Sequence, residues 1–155
     1  MREKECGHYT DSIVYALEQT SIYCRVRGAQ LFNNLNLPVT LEQFIALDAI
    51  FCNPDICQRD LSKLILKDRS NTGRILTILE KNGFVERVVE TKAKRLVRKI
   101  YITQLGKKII EENQDDIRKG FSRVFDDISE EEFAVLRKTL AKMKESLSTY
   151  TTLQI

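Results

Sequence analysis

The chain has 155 residues, enough for one compact domain with an added element for association. Its hydrophobic fraction of 43% excludes a disordered chain, and no apolar run approaches the roughly 18 residues that a membrane span needs. The first residues carry charges with no apolar stretch behind them, which argues against a secretory signal. We therefore expect a soluble, cytoplasmic protein.

The net charge of +3 is unevenly distributed along the chain. Residues 58–107 contain 13 Lys or Arg against 5 Asp or Glu, a local charge of +8, whereas the remainder carries −5. A basic segment on an otherwise acidic chain predicts contact with a polyanion in that segment. A solvated charged face would have the same composition, so charge alone leaves both interpretations open.

Helical spacing of apolar residues predicts a first helix over residues 10–34. A second helix begins after Thr40, where Gln43 three residues later completes a capping box. Asp55 is expected to cap a short third helix in the same way, with Gln58 as its partner.

A fourth helix is predicted over residues 70–82, with Gly83 as its terminator. Only a few residues separate it from the third helix, which is the spacing of a helix-turn-helix. The period then changes to two in residues 84–89 and 97–102, and residues 90–95 between them are polar and basic. This pattern predicts a two-stranded hairpin with a long charged tip, which is a wing.

Helical spacing returns after residue 103, and a capping box at Ser129 and Glu132 opens the last helix. The outer helices, residues 10–34 and 104–147, carry apolar stripes that so small a central module cannot cover. The stripes predict a homodimer interface, and folding back on the same chain is the alternative.

The fourth helix is amphipathic, with Ile75, Leu76 and Leu79 on one side and polar residues on the other. Ser, Asn and Arg side chains suit base-edge reading in the major groove, and a basic hairpin suits phosphate or minor-groove contact. Lys81 shares the polar side, and Lys99 lies on the return strand of the hairpin. The candidate DNA-binding residues are Arg69, Ser70, Asn71, Thr72, Arg74, Lys92, Lys94, Arg95 and Arg98.

The four cysteines are Cys6, Cys24, Cys52 and Cys57, and the single histidine is His8. No C-x-x-C pair occurs, so neither a structural zinc site nor any other metal or cofactor is expected. Cys52 and Cys57 are expected to be small buried hydrophobic residues, which is the commoner fate of a free cysteine.

Residues 37–145 resemble the multiple-antibiotic-resistance regulator (MarR) family. No single match is specific, but the joint spacing is. The matching residues are Thr40, Gln43, Phe44, Leu47, Leu61, Leu64, Asp68, Ser70, Arg74, Leu79, Glu80, Gly83, Val85, Arg87, Ile102, Thr103, Gly106 and Lys107.

The resemblance implies a dimer paired through its terminal helices, with two winged domains on successive major grooves of a pseudo-palindrome, and no catalytic activity. The family's wing usually carries an Asp and an Arg two residues apart, but those positions here are Lys94 and Leu96. We therefore carry over the wing's role without that salt bridge, and we expect Arg95 to be its minor-groove residue.

The resemblance also implies control by an effector, either a small amphipathic or aromatic molecule or an oxidant. Organic-hydroperoxide regulators of the family place a reactive thiol near the start of the first helix, close to tyrosines. Cys6 with Tyr9 and Tyr15 is similar to that arrangement, as is Cys24 beside Tyr23. Both cysteines are candidate redox residues, and burial as ordinary hydrophobic residues is the alternative.

The sequence thus predicts a mainly α fold with a small β-hairpin: a winged helix-turn-helix at residues 37–103 between dimerisation helices at 1–36 and 104–155. The expected function is that of a sequence-specific DNA-binding transcriptional regulator, a repressor, with double-stranded DNA and a second copy of the chain as partners. No glycine-rich phosphate loop, nucleophile motif or metal cluster predicts an enzyme. The rival function is a winged-helix module for protein–protein contacts.

Overall fold

The computed structural model describes residues 7–92 and 95–152. Six helices and one hairpin make up this part of the chain, with a short 3-10 turn before the first helix and another before the last. In chain order the elements are α1 (Ile13–Asn34), α2 (Leu41–Cys52), α3 (Gln58–Leu64), α4 (Arg69–Lys81), β1 (Val85–Lys92), β2 (Arg95–Ile102), α5 (Gln104–Ser122) and α6 (Glu130–Tyr150). The mainly helical winged fold that the sequence predicts is confirmed.

The chain divides into two compact units, one ending at Leu41 and the other beginning at Glu42. In the first unit, the Ser12 hydroxyl caps α1 by accepting a hydrogen bond from the Tyr15 amide at 3.2 Å. A Cβ at Gly28 would lie 2.5 Å from the side chain of Leu41, so glycine allows the close approach there.

The second unit has a core to which α2, α3, α4, the hairpin and α5 all contribute apolar side chains. The amphipathic pattern of α4 supplies three of them, as the sequence predicts. The fully buried apolar side chains of this core include Leu47, Leu61, Leu76, Leu79, Val85, Ile100 and Ile110.

Local signals set the ends of several helices. At the end of α4, the Gly83 amide donates to the Glu80 carbonyl and the Phe84 amide to the Leu79 carbonyl. With Gly83 at φ +74° this is a Schellman motif, so the predicted terminator is confirmed. The capping box that opens α6 is also present, with Ser129 and Glu132 bonded reciprocally.

The predicted start of α3 is wrong. The helix begins at Gln58 after Cys57, and Asp55 lies in a turn with φ +65°. The chain before α3 instead pairs with the hairpin, because the Ile100 amide donates to the Ile56 carbonyl at 3.0 Å and Cys57 forms an isolated bridge with Lys99. A cap at Asp55 would have lengthened α3 at the expense of this pairing.

The long charged tip expected for the hairpin is also wrong. The antiparallel register runs from Val85 opposite Ile102 to Lys92 opposite Arg95, so only two residues connect the strands. Glu90–Lys92 are polar, yet they continue the ladder, because an exposed strand accepts polar side chains while its backbone stays paired.

Helices α5 and α6 follow the hairpin. Within the described part of the chain, no residue of α6 is buried, and its apolar residues Val135, Leu136, Leu140 and Leu147 are all exposed. On α1, Ile13, Val14, Ile22, Tyr23 and Val26 are exposed as well. These helices therefore present apolar surface that the single chain leaves in contact with water.

Candidate nucleic-acid interface

The turn between α3 and α4 is built from side chains that bond to backbone. The Gln58 amide donates to the Arg69 carbonyl at 3.1 Å, and Ser62 donates back to the Gln58 carbonyl at 2.7 Å. Lys67, in the turn, pairs with Glu42 on α2 at 2.7 Å. These bonds set the direction in which α4 leaves the turn.

Asp68 caps α4 by accepting the Asn71 backbone amide at 2.8 Å. The Asn71 side-chain amide donates to the other carboxylate oxygen of Asp68. The Asn71 backbone bond, and then the side-chain bond, hold the pKa of Asp68 below its ordinary value. One donor of Asn71 is therefore engaged in the cap.

The outward side of α4 is polar and exposed, as predicted. Arg69, Ser70, Asn71, Arg74 and Lys81 are all exposed to solvent. Arg74 lies one helical turn beyond the first three and makes no ion pair within the described residues. Like Arg69, it combines a guanidinium outside these ion pairs with the length to reach a base edge.

Thr72 is different, because its side chain is 0% exposed and its hydroxyl donates to the Asp68 carbonyl at 2.9 Å. It packs on the same side of α4 as Ile75, Leu76 and Leu79. A side chain without exposed surface does not reach a ligand, so the structure does not support Thr72 as a DNA contact. Its spacing from the apolar residues of α4 was a signal of burial that the sequence already contained.

The hairpin is joined to α4 by Arg87. Its Nε donates to Glu80 Oε2 at 2.9 Å, its terminal nitrogen bonds the same oxygen, and its backbone amide donates to Glu80 Oε1 at 3.3 Å. Hydrogen bonds from Arg87 keep the pKa of Glu80 below its ordinary range. The pairing was not predicted, because nothing in the local sequence relates two residues on different elements.

Of the predicted hairpin contacts, Arg98 is exposed and borders an open cleft of about 280 Å³ with Arg87 and Glu80. Lys92 and Arg95 face each other at the last pair of the ladder, but their side chains lie outside the described residues, as does all of Lys94. Lys99 is largely buried and bound to two carboxylates, so it is not the free cation that the sequence suggested.

The cysteines differ from expectation in one respect. Cys52, the last residue of α2, is exposed rather than buried, and Cys57 is half-buried with its thiol donating to Asp60 at 3.0 Å. Cys24 is exposed on α1. Cys6 lies outside the described residues.

Near the start of α1, the rings of Tyr9 and Tyr15 meet edge to face at 5.9 Å, and the Tyr9 hydroxyl donates to Glu18 at 3.3 Å. Among the described residues, no three His, Cys, Asp or Glu side chains gather as a metal site, and no helix is long and apolar enough to cross a bilayer.

Comparison with known proteins agrees with this architecture. The sequence model of the MarR family matches residues 39–97. The chain is 26% identical over 147 residues to YsmB of Bacillus subtilis, an uncharacterized HTH-type transcriptional regulator, and the match covers 95% of this chain and 98% of YsmB.

Two solved structures have the same fold. The S. aureus MepR–DNA complex matches with a TM-score of 0.75 at 21% identity, over 90% of this chain and 99% of MepR. NadR in complex with 4-hydroxyphenylacetate matches with a TM-score of 0.73 at 21% identity, over 90% of this chain and 100% of NadR. The relatives are transcriptional regulators rather than enzymes. Residues 39–97 therefore match the MarR family of transcriptional regulators, and over nearly its whole length the chain is similar to the regulator YsmB.

Proposed function

We propose that this protein is a sequence-specific repressor that binds a pseudo-palindromic operator as a homodimer, with α4 of each protomer in a major groove. The observation that carries the proposal is the outward face of α4, where Arg69, Ser70, Asn71 and Arg74 are exposed on a helix that is anchored on its other side by buried residues. MepR, which has the same fold, has been crystallised with DNA. Such a regulator acts on DNA in the cytoplasm.

Within this interface the residues have different roles. Arg74 reads a base edge, and Ser70 and Arg69, at the start of α4, contact the DNA backbone. The side-chain amide atoms of Asn71 that are not bonded to Asp68 are available to DNA. The hairpin supplies Arg98 and the basic residues of its tip, Lys92, Lys94 and Arg95, to phosphates or to the minor groove. Thr72 is left out, because it is buried.

The homodimer is supported by the exposed apolar side chains of α1 and α6. Burial of apolar surface is favourable at roughly 25 cal/mol per Å², and a second copy offers the same helices as partners. Sedimentation of the purified chain, whose mass is 18.0 kDa, tests this directly. A particle of twice that mass at micromolar concentration is expected, and a monomer that binds DNA would contradict the dimeric operator complex.

The DNA proposal is tested with Arg74→Ala and with Arg25→Ala as the matched control, since Arg25 is an exposed arginine on α1, outside the basic segment. An operator is first selected from a random duplex library with the parent protein. Loss of a bidentate base contact costs about 1–3 kcal/mol at each half-site and relaxes the preferred base at that position. We expect this change for Arg74→Ala only, measured as the ratio of operator to random-DNA affinity by fluorescence anisotropy.

Salt dependence separates this function from a protein-contact module. Neutralisation of several phosphates makes log K fall steeply against log salt, and each lost phosphate contact lowers the slope by about 1. Arg98→Ala is therefore expected to reduce the slope, whereas Arg74→Ala leaves it nearly unchanged. Affinity that barely responds to salt would overturn the DNA proposal in favour of protein contacts.

Control of DNA affinity has two candidate forms. NadR, with the same fold, has been crystallised with the small aromatic acid 4-hydroxyphenylacetate, which favours a small-molecule effector. The exposed thiol of Cys24 favours oxidation instead. Gel shifts with and without hydroperoxide, on the parent and on Cys6→Ser and Cys24→Ser, decide between them. If oxidant leaves the affinity of the parent unchanged, redox control is wrong.

A further inference from the structure

Four polar side chains join the middle of the hairpin to the turn between α2 and α3. The Lys99 ammonium lies 3.2 Å from Asp55 Oδ1 and 3.1 Å from Glu90 Oε2. The Tyr101 hydroxyl donates to the other oxygen of Glu90 at 2.6 Å. We call Asp55, Glu90, Lys99 and Tyr101 the hairpin network.

Lys99 is the charged side chain of the hairpin network that is shielded from water, since Asp55 is 57% exposed and Glu90 38%. The side chain of Lys99 is 18% exposed, whereas both partners of the pairs on α5 are more than half exposed. Exposed pairs contribute little to structure, because solvent screens them and their side chains remain mobile. A lysine held between two carboxylates and largely covered is ordered by comparison.

Backbone pairing adds to the same junction. The Ile100 amide donates to the Ile56 carbonyl at 3.0 Å, next to the bridge between Cys57 and Lys99. Asp55 has φ +65°, a left-handed conformation that Asp and Asn tolerate better than most residues. The turn therefore brings a carboxylate to Lys99 while its backbone pairs with β2.

The network keeps its charges at neutral pH. The hydrogen bond to Glu90 is the main cause that raises the pKa of Tyr101 to about 12, with burial and Asp55 adding to it, so the phenol remains a donor. Hydrogen bonds from Tyr101 and then Lys99 hold the pKa of Glu90 below its ordinary range. Glu90 thus stays ionised and bound to Lys99.

The network lies midway along the hairpin, so the strands extend beyond it. Lys99 lies opposite Val88, and the last pair of the ladder, Lys92 with Arg95, is four residues further along, about 13 Å away at ~3.3 Å per residue. A rotation of about 10° at Lys99 would move that pair by about 2 Å, which exceeds the range of lengths over which a hydrogen bond forms. Arg87 holds β1 to α4 through Glu80, and the hairpin network holds β2 to the turn before α3.

We propose that the hairpin network sets the angle of the hairpin relative to α4, with Lys99 as a positioning residue for DNA binding rather than a DNA contact. The inference rests on the proposed function, because it concerns how α4 and the hairpin engage one duplex together. A hairpin free to rotate would still carry its cations but would spend less time where they reach the backbone.

The direct test measures the hairpin without DNA. Nitroxide labels are placed at the exposed positions Thr91 and Lys81 in a full-length protein whose native cysteines are serine, and labelled chains are diluted with unlabelled ones. Pulsed electron resonance then reports the distance between the hairpin and the end of α4. We expect a narrow distribution for the parent, a broad one for Lys99→Met, and a narrow one again for Lys99→Arg.

A second variant of the network and a control variant complete this test. Asp55→Asn retains a residue that tolerates positive φ and removes one charge, so it is expected to broaden the distribution even if Lys99→Met proves poorly folded by circular dichroism. Lys108→Met is the matched control, because Lys108 is an exposed lysine of α5 that pairs with the exposed Glu112. Unchanged distributions for Lys99→Met and Asp55→Asn would overturn the proposal.

DNA affinity gives the second readout. Lys99→Met is expected to weaken operator binding about five- to tenfold, and Lys99→Arg to restore it. If Lys99 acts through the hairpin, its loss has a smaller effect once Arg98→Ala has removed a hairpin contact. Fully additive losses would contradict an action of Lys99 through the hairpin. If the parent protein bound no duplex, the proposed function would be wrong. The distance measurement would still show whether Lys99 holds the hairpin in place relative to α4.

Discussion

Gly106 lies where α5 starts beside the hairpin, in very close contact with the backbone of Phe84. A Cβ there would lie 2.2 Å from the Phe84 carbonyl oxygen, 2.8 Å from the Ile102 side chain and 3.1 Å from the Phe84 carbonyl carbon. Two of these atoms are backbone, so no rotamer change relieves the clash. The Phe84 carbonyl also accepts the Thr103 amide at 3.0 Å, which ties the beginning of β1 to the beginning of α5.

Gly106→Ala therefore forces the Phe84 carbonyl to move by about 1 Å or more, since carbon contacts are optimal near 3.5–4.0 Å. Overpacking costs about 1–3 kcal/mol, and weakening one hydrogen bond adds about 1 kcal/mol. The better helix propensity of alanine returns about 1 kcal/mol. We expect a net loss of about 1–3 kcal/mol in the free energy of unfolding, or ~2–12 °C in Tm for a chain of this size.

Gly73→Ala is the matched control. Its Cβ would meet the Gln58 side-chain amide at 3.1 Å, so that amide must shift by a few tenths of an ångström while bonded to Arg69. Helix propensity offsets this cost, and we expect the change to stay within about 1 kcal/mol of neutral. Both variants are compared with the parent by thermal and urea unfolding at one protein concentration, because a dimer's stability depends on concentration. A Tm and urea midpoint of Gly106→Ala equal to those of the parent would refute the predicted clash, and so would an equal loss of stability in Gly73→Ala.

Three further substitutions test the ends and the inner side of the helices. Thr72→Val should cost about 1 kcal/mol in urea unfolding, because it removes one hydroxyl bond, yet leave operator selectivity intact; a loss of selectivity would make Thr72 a contact after all. Asp68→Ala should be less stable than the parent at neutral pH, and the difference in free energy of unfolding should shrink as pH falls. Because the pKa of Asp68 is lowered by folding, its carboxylate stabilises the fold at any pH above the ordinary pKa of about 3.9. That stabilisation is lost as pH falls through the lower pKa of the folded state. Urea midpoints at pH 7 and pH 3 check this, and an equal gap at both would contradict it. Ser129→Ala should lower the free energy of unfolding by about 1 kcal/mol, and Ser129→Gly by only a few tenths. Equal urea midpoints for the two variants would contradict this N-cap role of Ser129 in the capping box.

The sequence predicted the fold where the signals were local. Gly83, Ser129 and the apolar stripe of α4 each act within one or two helical turns, so their pattern translates directly into structure. The exposed side of α4 followed from the same periodicity, and with it four of the five candidate DNA contacts on that helix. Thr72 is the exception, because the sequence analysis weighed its polar side chain above a position that the periodicity already made internal.

The errors arose where one element meets another. Residues 90–92 have the composition of a loop, but their partners across the hairpin extend the ladder to Lys92 and Arg95. Asp55 has the identity of a helix cap, but its turn is used to reach Lys99, 44 positions away. Cys52 was expected to be buried on composition alone, and it falls at the exposed end of α2.

By itself the sequence determined the order and type of the elements, the basic segment at residues 58–107 and the outward side of α4, because periodicity and helix caps depend on neighbours along the chain. The tertiary structure decided how the hairpin is held. Arg87 meets Glu80, and Lys99 meets Asp55 and Glu90, only after separate elements have packed. Such pairs leave no spacing rule in the sequence, because the distance between their side chains is a property of the fold rather than of the chain.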